Sequence, residues 1–375
     1  MAGKGCLVVG AGLTGAAAAW ELAQHGFKVR VYEQADVVGG HVRTEWLRGI
    51  PYEPHGAHIF HTHDAEVWQL VSQLTDFVPY RHRVAIRIRS HELSWPLQRA
   101  ELSQLDEWAK IEQELASLPP HPDSANFETY CRSLMGETLY GLCIRNYTRK
   151  QWGRDPETLS ASVAANRVEL RNDGYLDLFR DPYQGWPDRG YADLVEALLE
   201  PAEIQLGQQV THEDIADLAL PGEPVVITSA LDDFFSLDLG PLDWRGVRLE
   251  SQFISDAKLV QPAMVVNEPD LSVPWTRTIE TKWALARLHD TKGTVVMREY
   301  PGAAAKHYPV PDTAGVNRAL QTSYEAKLAA YSRNPLTPAG RLATYSYINM
   351  DQAVRQGLEA ARHIVGAQSN LRDKA

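Results

Sequence analysis

Three histidines fall within six positions of the run GAHIFHTHD, residues 56–64: His58, His61 and His63, with Asp64 beside them. Imidazoles and a carboxylate at that density could ligate a transition metal. They could also wall the pocket of an organic cofactor. Side-chain direction separates the two. In an extended chain alternate residues point to opposite faces, so His58 faces with Phe60 and away from His61. A zinc site would also need a further ligand from elsewhere and partners that orient each imidazole. Gly56 carries no side chain and lets the backbone pass close to a flat ring system. The expectation is therefore a cofactor wall with no metal, with His58 as its chemical member, His61 structural, and His63 at the start of the helix near Asp64.

A second set of residues says which cofactor. Gly10, Gly12 and Gly15 spell GAGLTG directly after the apolar run Cys6–Val9 and before an alanine-rich stretch that ends at Gly26. In such a turn the first glycine bends the chain tightly and the second admits a pyrophosphate. The third lets helix pack on strand, and the helix opening at Leu13 and Thr14 offers N–H groups to the phosphates. Glu33 closes the next strand, where a carboxylate can accept from an adenosine ribose. This unit alone does not separate NAD from FAD. The pair Gly39-Gly40, followed by His41, favours FAD, because flavoproteins often continue into a second glycine loop against the pyrophosphate.

The rest of the chain must hold these groups in place. At 375 residues it is long for one core. The N-terminal strand–helix–strand unit, the strand VVITS (225–229) and the C-terminal helix to about residue 364 predict one dinucleotide-binding domain, discontinuous over 1–80, 205–240 and 336–375. Helix-period apolar residues in 107–118 and 127–140 predict an inserted helical domain, 97–165. Residues 167–190 mix charge, aromatics, Gly and Pro, as an exposed lid loop does. Strand-like stretches from Arg248 to Glu299 predict an antiparallel sheet domain, 81–96 and 241–335. Trp20, Trp68, Trp95 and Trp108 read as packing residues.

The net charge of −11 argues against a general nucleic-acid binder, and three scattered cysteines argue against a disulfide scaffold or zinc knuckle. No signal peptide and no apolar run of membrane-spanning length stand out, so a cytoplasmic enzyme with no membrane partner is the expectation.

The motifs GAGLTG, GG at 39, GAHIFHT, YTRKQWGR (147–154), DPYQGWP (181–187), VPWTRTIE (273–280), REYP (298–301) and GRLATYSYINMDQ (340–352) occur in an order that resembles the UDP-galactopyranose mutase family over nearly the whole chain. The resemblance implies an α/β fold: a FAD-binding Rossmann-like domain, an inserted helical domain and an antiparallel β-sheet domain. It implies a flavin-dependent isomerase that interconverts the pyranose and furanose forms of a nucleotide-diphosphate sugar, UDP-galactose being the default. Reduced FAD would serve as nucleophile through N5 at the anomeric carbon, with no net redox change, so an external reductant is required, NAD(P)H being the candidate. The family's frequent dimers make a homodimer the candidate assembly.

Carried over motif by motif, Arg171 and Arg277 stand for phosphate-contacting arginines and Arg341 for one between flavin and substrate. Tyr147, Trp152, Tyr183, Tyr308, Tyr347 and Asn349 line the substrate, and Glu299 is a carboxylate near the cleft. His41, Gly56, His58, Met350 and Asp351 join the glycines as cofactor residues. A lone arginine is most often a surface charge; the motif context reverses that for Arg171, Arg277 and Arg341, whereas Arg167 reads as structural.

The chain departs from the family at Asn349, where an acid is common, at His307 before Tyr308, at His41 in GGH, at Trp275, and in the loop NDGYLDLF (172–179). These positions border sugar or base, so the same chemistry on a GDP-, dTDP- or other UDP-sugar is the alternative substrate reading. An FAD oxidoreductase of the amine-oxidase type, or an inactive flavin-binding module, are the alternatives of a different class.

Overall fold

The computed structural model of the protein describes residues 4–164 and 167–372. The outermost residues of the expected domains, 1–3 and 373–375, and the 165–166 junction lie outside that description. Five parallel strands form the first sheet, in the order Glu203–Gln205, Phe27–Tyr32, Lys4–Val9, Val225–Ile227 and Leu336–Pro338. The apolar run Cys6–Val9 occupies its centre and is fully covered, which is what a strand with helices on both faces requires.

On one face the helix Leu13–Gln24 packs against the C-terminal helix Met350–Arg372 and the helix Tyr191–Leu199, through Ala16–Ala19, Val354, Leu358 and Leu194. Two glycines set how close these layers come. A Cβ on Gly15 would sit 2.0 Å from the Gly10 carbonyl oxygen, and one on Gly357 would sit 2.4 Å from the Thr14 carbonyl oxygen. On the other face lie Phe234, Phe235, Tyr324 and Leu328. The helix Val316–Ala329 therefore packs on the parallel sheet, not with the sheet domain to which 241–335 was assigned. Its buried Tyr324 and Leu328 fit the apolar face left beside Leu7 and Val225.

The second sheet has six strands, in the order Trp244–Ile254, Thr294–Pro309, Arg277–Ile279, Val265–Asn267, Val84–Ile88 and His91–Trp95. Four of its pairings are antiparallel, as expected; Val265–Asn267 runs parallel to Val84–Ile88. One face of its edge, through Ile86, Ile88 and Leu93, shares a core with the helices Trp108–Ala116 and Phe127–Leu139. A π-helical turn, Tyr140–Arg145, leads from these into the helix Asn146–Trp152. Trp20, Trp68, Trp95 and Trp108 all pack against the two large cores.

The 167–190 segment is less open than its composition suggests. Leu170–Arg171 pairs with Leu97–Gln98, and Tyr183–Pro187 is the middle strand of a small sheet between Phe60–Thr62 and Phe77–Pro79. Among the described residues no helix is long and apolar enough to cross a membrane.

Gly357 gives a test with a definite sign. Helix propensity alone favours Gly357→Ala by about 1 kcal/mol. Contact with the Thr14 carbonyl should instead cost about 1–3 kcal/mol. A lower melting temperature for Gly357→Ala is expected by calorimetry; an unchanged or higher one contradicts the helix packing described.

Candidate active site

A cleft follows the carboxyl ends of the parallel strands, the usual ligand position in such a sheet. It is lined by Gly10, Gly12, Leu13 and Thr14 from the first turn, Glu33 from the second strand, and Gly39, Gly40 and His41 from the second glycine loop. Arg341, Asn349 and Met350 close it from the C-terminal segment, with His58 at the same end. Gly12 caps the helix Leu13–Gln24 without any side-chain acceptor, and a Cβ there would meet nothing within 4 Å. The first N–H groups of that helix thus face space shaped for an anion. Gly40, at φ +56°, crosses Gly12 so closely that a Cβ would lie 3.2 Å from the Gly12 Cα. Glu33 is buried and accepts from the backbone N–H groups of Ala11 at 2.8 Å and Ala35 at 2.9 Å. That holds its carboxylate in place at the wall of the cleft.

Three predicted cofactor residues do not line this cleft. Gly15 serves the helix–strand packing described above. Gly56 passes beside Glu299, where a Cβ would lie 3.7 Å from the carboxylate. Asp351 accepts from the Thr62 hydroxyl at 2.9 Å. Sequence reading missed Gln208, Gln209, Thr228 and Ser229, which line the far end. The Ser229 hydroxyl is buried there without a partner, as is His58 Nδ1. These unpaired donors and acceptors, the bare Gly12 and the held Glu33 fit a dinucleotide. The strand-end rule could have found Thr228 and Ser229, since VVITS was recognised as a strand of this sheet.

His58 is fixed through its backbone. Its N–H donates to Glu53 Oε2 at 2.7 Å, and its carbonyl accepts from the Tyr191 hydroxyl at 3.0 Å. Burial, reinforced by the nearby Arg341 and His55, pushes the imidazole down to about 3, so the ring is neutral. His61 donates through Nδ1 to Asp181 Oδ2 (3.0 Å) and stacks on Phe179, a packing role, while exposed His63 pairs with the same carboxylate. Asp64, not His63, caps the following helix by accepting from Glu66 and Val67 N–H groups. The run is thus divided between two environments. Among the described residues no group of three or more His, Cys, Asp or Glu is arranged to hold a metal ion.

A second histidine group was not expected. His41 stacks on His307 with ring centroids 4.3 Å apart, and His55 lies 5.7 Å from His41. Burial lowers all three, His307 to about 4, and the positive charge of Arg341 or Arg43 adds to the effect.

Beyond Arg341 the cleft opens onto a cationic, aromatic surface. Tyr308 and Tyr347 stack with centroids 5.4 Å apart. The Arg341 guanidinium lies 5.5 Å from one ring and 5.3 Å from the other, held by the carbonyls of His307 (3.1 Å) and Ile348 (2.6 Å). Arg277 donates through Nη2 to Glu299 Oε2 at 2.7 Å and reaches the Tyr308 hydroxyl at 3.4 Å. Its buried Nε has no partner. Burial alone would weaken the Arg277 charge, but Glu299, Tyr308 and Tyr147 more than offset this and raise its proton affinity. Tyr147 is raised by burial, with Glu299 and Tyr308 close enough to contribute, and Trp152 meets Tyr308 at a 6.4 Å centroid distance.

Two predicted substrate residues make contacts within the protein. Arg171 is buried and spends its fork on its own loop, bonding the Glu169 carboxylate and the carbonyls of Tyr175, Asp177 and Leu178. Tyr183 lies flat on Trp68 at 5.7 Å. Arg167, read as structural, instead stacks 4.2 Å above the Tyr347 ring, and among the described residues no acid pairs with it. Tyr345, at φ +47°, donates to the Asp243 carbonyl and accepts from Val310 N–H, so it is structural.

Both the sequence and the fold have known relatives. A sequence profile described as UDP-galactopyranose mutase matches residues 142–347, and one for an NAD(P)-binding Rossmann-like domain matches residues 8–74. The dTDP-fucopyranose mutase of Escherichia coli is 30% identical over 372 residues, 95% of this chain and 97% of that protein. A probable UDP-galactopyranose mutase of Klebsiella pneumoniae is 29% identical, covering 99% and 97% respectively. The crystal structure of a reduced UDP-galactopyranose mutase superposes with a TM-score of 0.76 at 16% identity, over 97% of this chain and 96% of that one, which establishes the shared fold.

The neutral histidines make stability depend on pH. Unfolded histidines take up protons below about pH 6.5, whereas His58 and His307 in the fold wait until about 3 and about 4. The unfolded state therefore binds more protons in that window. Stability is fully present above it and falls as pH drops, by up to about 1.4 kcal/mol per pH unit for each such histidine. The melting temperature should decline steadily from pH 7 to pH 5, and His307→Phe should make the decline shallower. A flat profile over that range contradicts the buried neutral cluster.

Proposed function

The chain belongs to the UDP-galactopyranose mutase family, and from that premise we propose that it binds FAD, works with the cofactor reduced, and interconverts UDP-galactopyranose and UDP-galactofuranose. It is an isomerase, a flavin-dependent pyranose–furanose mutase of sugar nucleotides. The observation that carries the reading is the unpaired Arg277 donor beside the Tyr308–Tyr347 stack, next to the dinucleotide cleft.

When bound, the reduced flavin supplies a nucleophile for the anomeric carbon. The protein's task is to make the diphosphate a good leaving group and to keep it close. Charge gathers on phosphate oxygens as the glycosidic bond breaks, and fixed guanidinium forks stabilise that charge better than mobile water. Arg277 has donors left over from its bond to Glu299, so it can bind phosphate without losing its anchor. Arg341 borders the cofactor cleft on one side and the tyrosine pair on the other, a position suited to bridging the two ligands. Arg167 adds a third cation with no acid to neutralise it. Tyr308 and Tyr347 provide hydroxyls and ring faces for diphosphate and sugar, and Tyr147 and Trp152 form the floor. Asn349 at the end of the cleft offers an amide to the sugar or cofactor.

His58 would stand beside the flavin as a neutral imidazole whose Nδ1, with no hydrogen-bond partner among the described residues, is free to form a hydrogen bond there. Arg171 contributes by shaping the 171–178 loop in the conformation described, and contact with phosphate would require that it release those carbonyls. An external reductant, NAD(P)H being the candidate, and a homodimeric assembly complete the proposal.

One observation favours a second substrate. The Escherichia coli relative at 30% identity is named a dTDP-fucopyranose mutase, and this chain carries Asn349, His41, His307 and Trp275 where the resemblance leads one to expect other residues. A dTDP-linked 6-deoxyhexose is therefore the competing substrate for the same machinery.

The test is anaerobic turnover with chemically reduced enzyme on UDP-galactopyranose, dTDP-fucopyranose and GDP-sugars, with ring forms separated by chromatography. Furanose product from UDP-galactopyranose is expected. Preference for the dTDP sugar would shift the assignment to the second substrate, and no turnover of any nucleotide sugar would overturn mutase activity.

A further inference from the structure

The motif YTRKQWGR contains a lysine that the reading above leaves unused. Lys150 lies on the helix Asn146–Trp152 and reaches into the loop 268–276, which joins the strand Val265–Asn267 to the strand Arg277–Ile279. Its ammonium donates to four backbone carbonyls of that loop: Glu268, Asp270 at 2.9 Å, Val273 at 2.9 Å and Trp275 at 2.8 Å. Among the described residues no side-chain carboxylate bonds to it. The loop has turned its carbonyls inward around one compact cation, as a chain does around a bound metal ion.

The loop needs such a centre. Its tip is solvent-exposed, with Leu271 57% accessible, so apolar burial contributes little to its shape. Its base is closed by the Glu268 N–H to Thr276 carbonyl bond at 2.8 Å, and Thr276 N–H in turn donates to Glu299 at 2.9 Å. Trp275 is two residues from Arg277, so the last carbonyl in the cage adjoins the strand that aims the guanidinium. The other end of the link is fixed too. Arg245 donates to the Lys150 and Gln151 carbonyls at 2.8 and 2.6 Å, capping the helix that carries the lysine.

We propose that Lys150 is a positioning residue for the reaction: its ammonium, caged by four carbonyls of the 268–276 loop, fixes where Arg277 meets the substrate diphosphate. The inference rests on the functional reading above for its link to turnover, and on the cage alone for its structural part. An ammonium suits the cage because it is compact and has three donors that can be shared among four acceptors; a planar guanidinium fork does not. Burial lowers the Lys150 proton affinity to about 8, with Glu268 and Asp270 acting against this.

The experiment compares FAD-loaded wild type, Lys150→Ala and Lys150→Gln by amide hydrogen exchange over residues 268–277 and by steady-state kinetics on UDP-galactopyranose. Each is run with ammonium, ethylammonium or tetramethylammonium chloride at equal ionic strength. In Lys150→Ala, exchange in the loop should accelerate and KM should rise roughly tenfold to hundredfold, the cost of a displaced positioning group, while flavin content stays unchanged. Ammonium or ethylammonium should restore both, and tetramethylammonium, which has charge but no N–H, should restore neither. Lys150→Gln retains two N–H donors but no charge and should fall between; it carries the test if the alanine variant does not fold.

Exchange and KM within about twofold of wild type, or a loss that all three salts treat alike, would overturn the proposal. If wild type itself fails to turn over UDP-galactopyranose, the substrate reading fails, while the exchange data still decide the role of Lys150.

Discussion

The pair formed by Arg277 and Glu299 is the interaction on which the proposed substrate side of this molecule depends. The two residues face each other across adjacent antiparallel strands, and Glu299 is wholly buried. A carboxylate in that position is tolerable only with a cation and hydrogen bonds to hold it. Thr276 and Arg277 supply them, one on each oxygen. Removing the arginine would strand a buried charge, at a cost of about 3–5 kcal/mol. The guanidinium is thus locked in place by stability, while its remaining donors stay available. Gly56 completes the arrangement by letting the chain that carries His58 pass beside the carboxylate.

The cofactor side is built on a different constraint, close approach of backbones. The turn at 10–15 and the loop at 39–40 leave space where side chains would otherwise be, and Glu33 is held by two N–H groups. The two halves meet at the segments 307–308 and 341–350. Arg341 and Tyr308 come from separate parts of the chain, one following the parallel sheet and one ending the longest strand of the other. The surface shared by Arg341, Tyr308 and Tyr347 exists because these two pieces dock.

What could be read from the sequence follows from how local each feature is. The glycine turn, the acid at Glu33 and the apolar central strand depend on short-range geometry, so their places in the fold follow from spacing. The same is true of the alternation that splits His58 from His61. Arg171 and Arg167 differ by four positions in one loop, and nothing in their spacing says which guanidinium the loop consumes. Three carbonyls take Arg171; the Tyr347 ring takes Arg167. The His41–His307 stack joins residues far apart in sequence, and the parallel pairing of Val265–Asn267 with Val84–Ile88 is a tertiary choice. The far end of the cleft, at Gln208 and Thr228, was legible in principle from the strand-end rule but required knowing the strand order.

In the proposed function Arg277, anchored by Glu299, holds the diphosphate of a nucleotide sugar. The most direct measurement is calorimetric titration of the FAD-loaded protein with UDP and with dTDP, for wild type and Arg277→Lys. Lysine keeps the charge opposite Glu299 but loses the fork. Wild type should bind at least one nucleotide, and Arg277→Lys should weaken that binding at least roughly tenfold, as expected for loss of a bidentate charged contact. Equal affinity in the two proteins would contradict that role of Arg277.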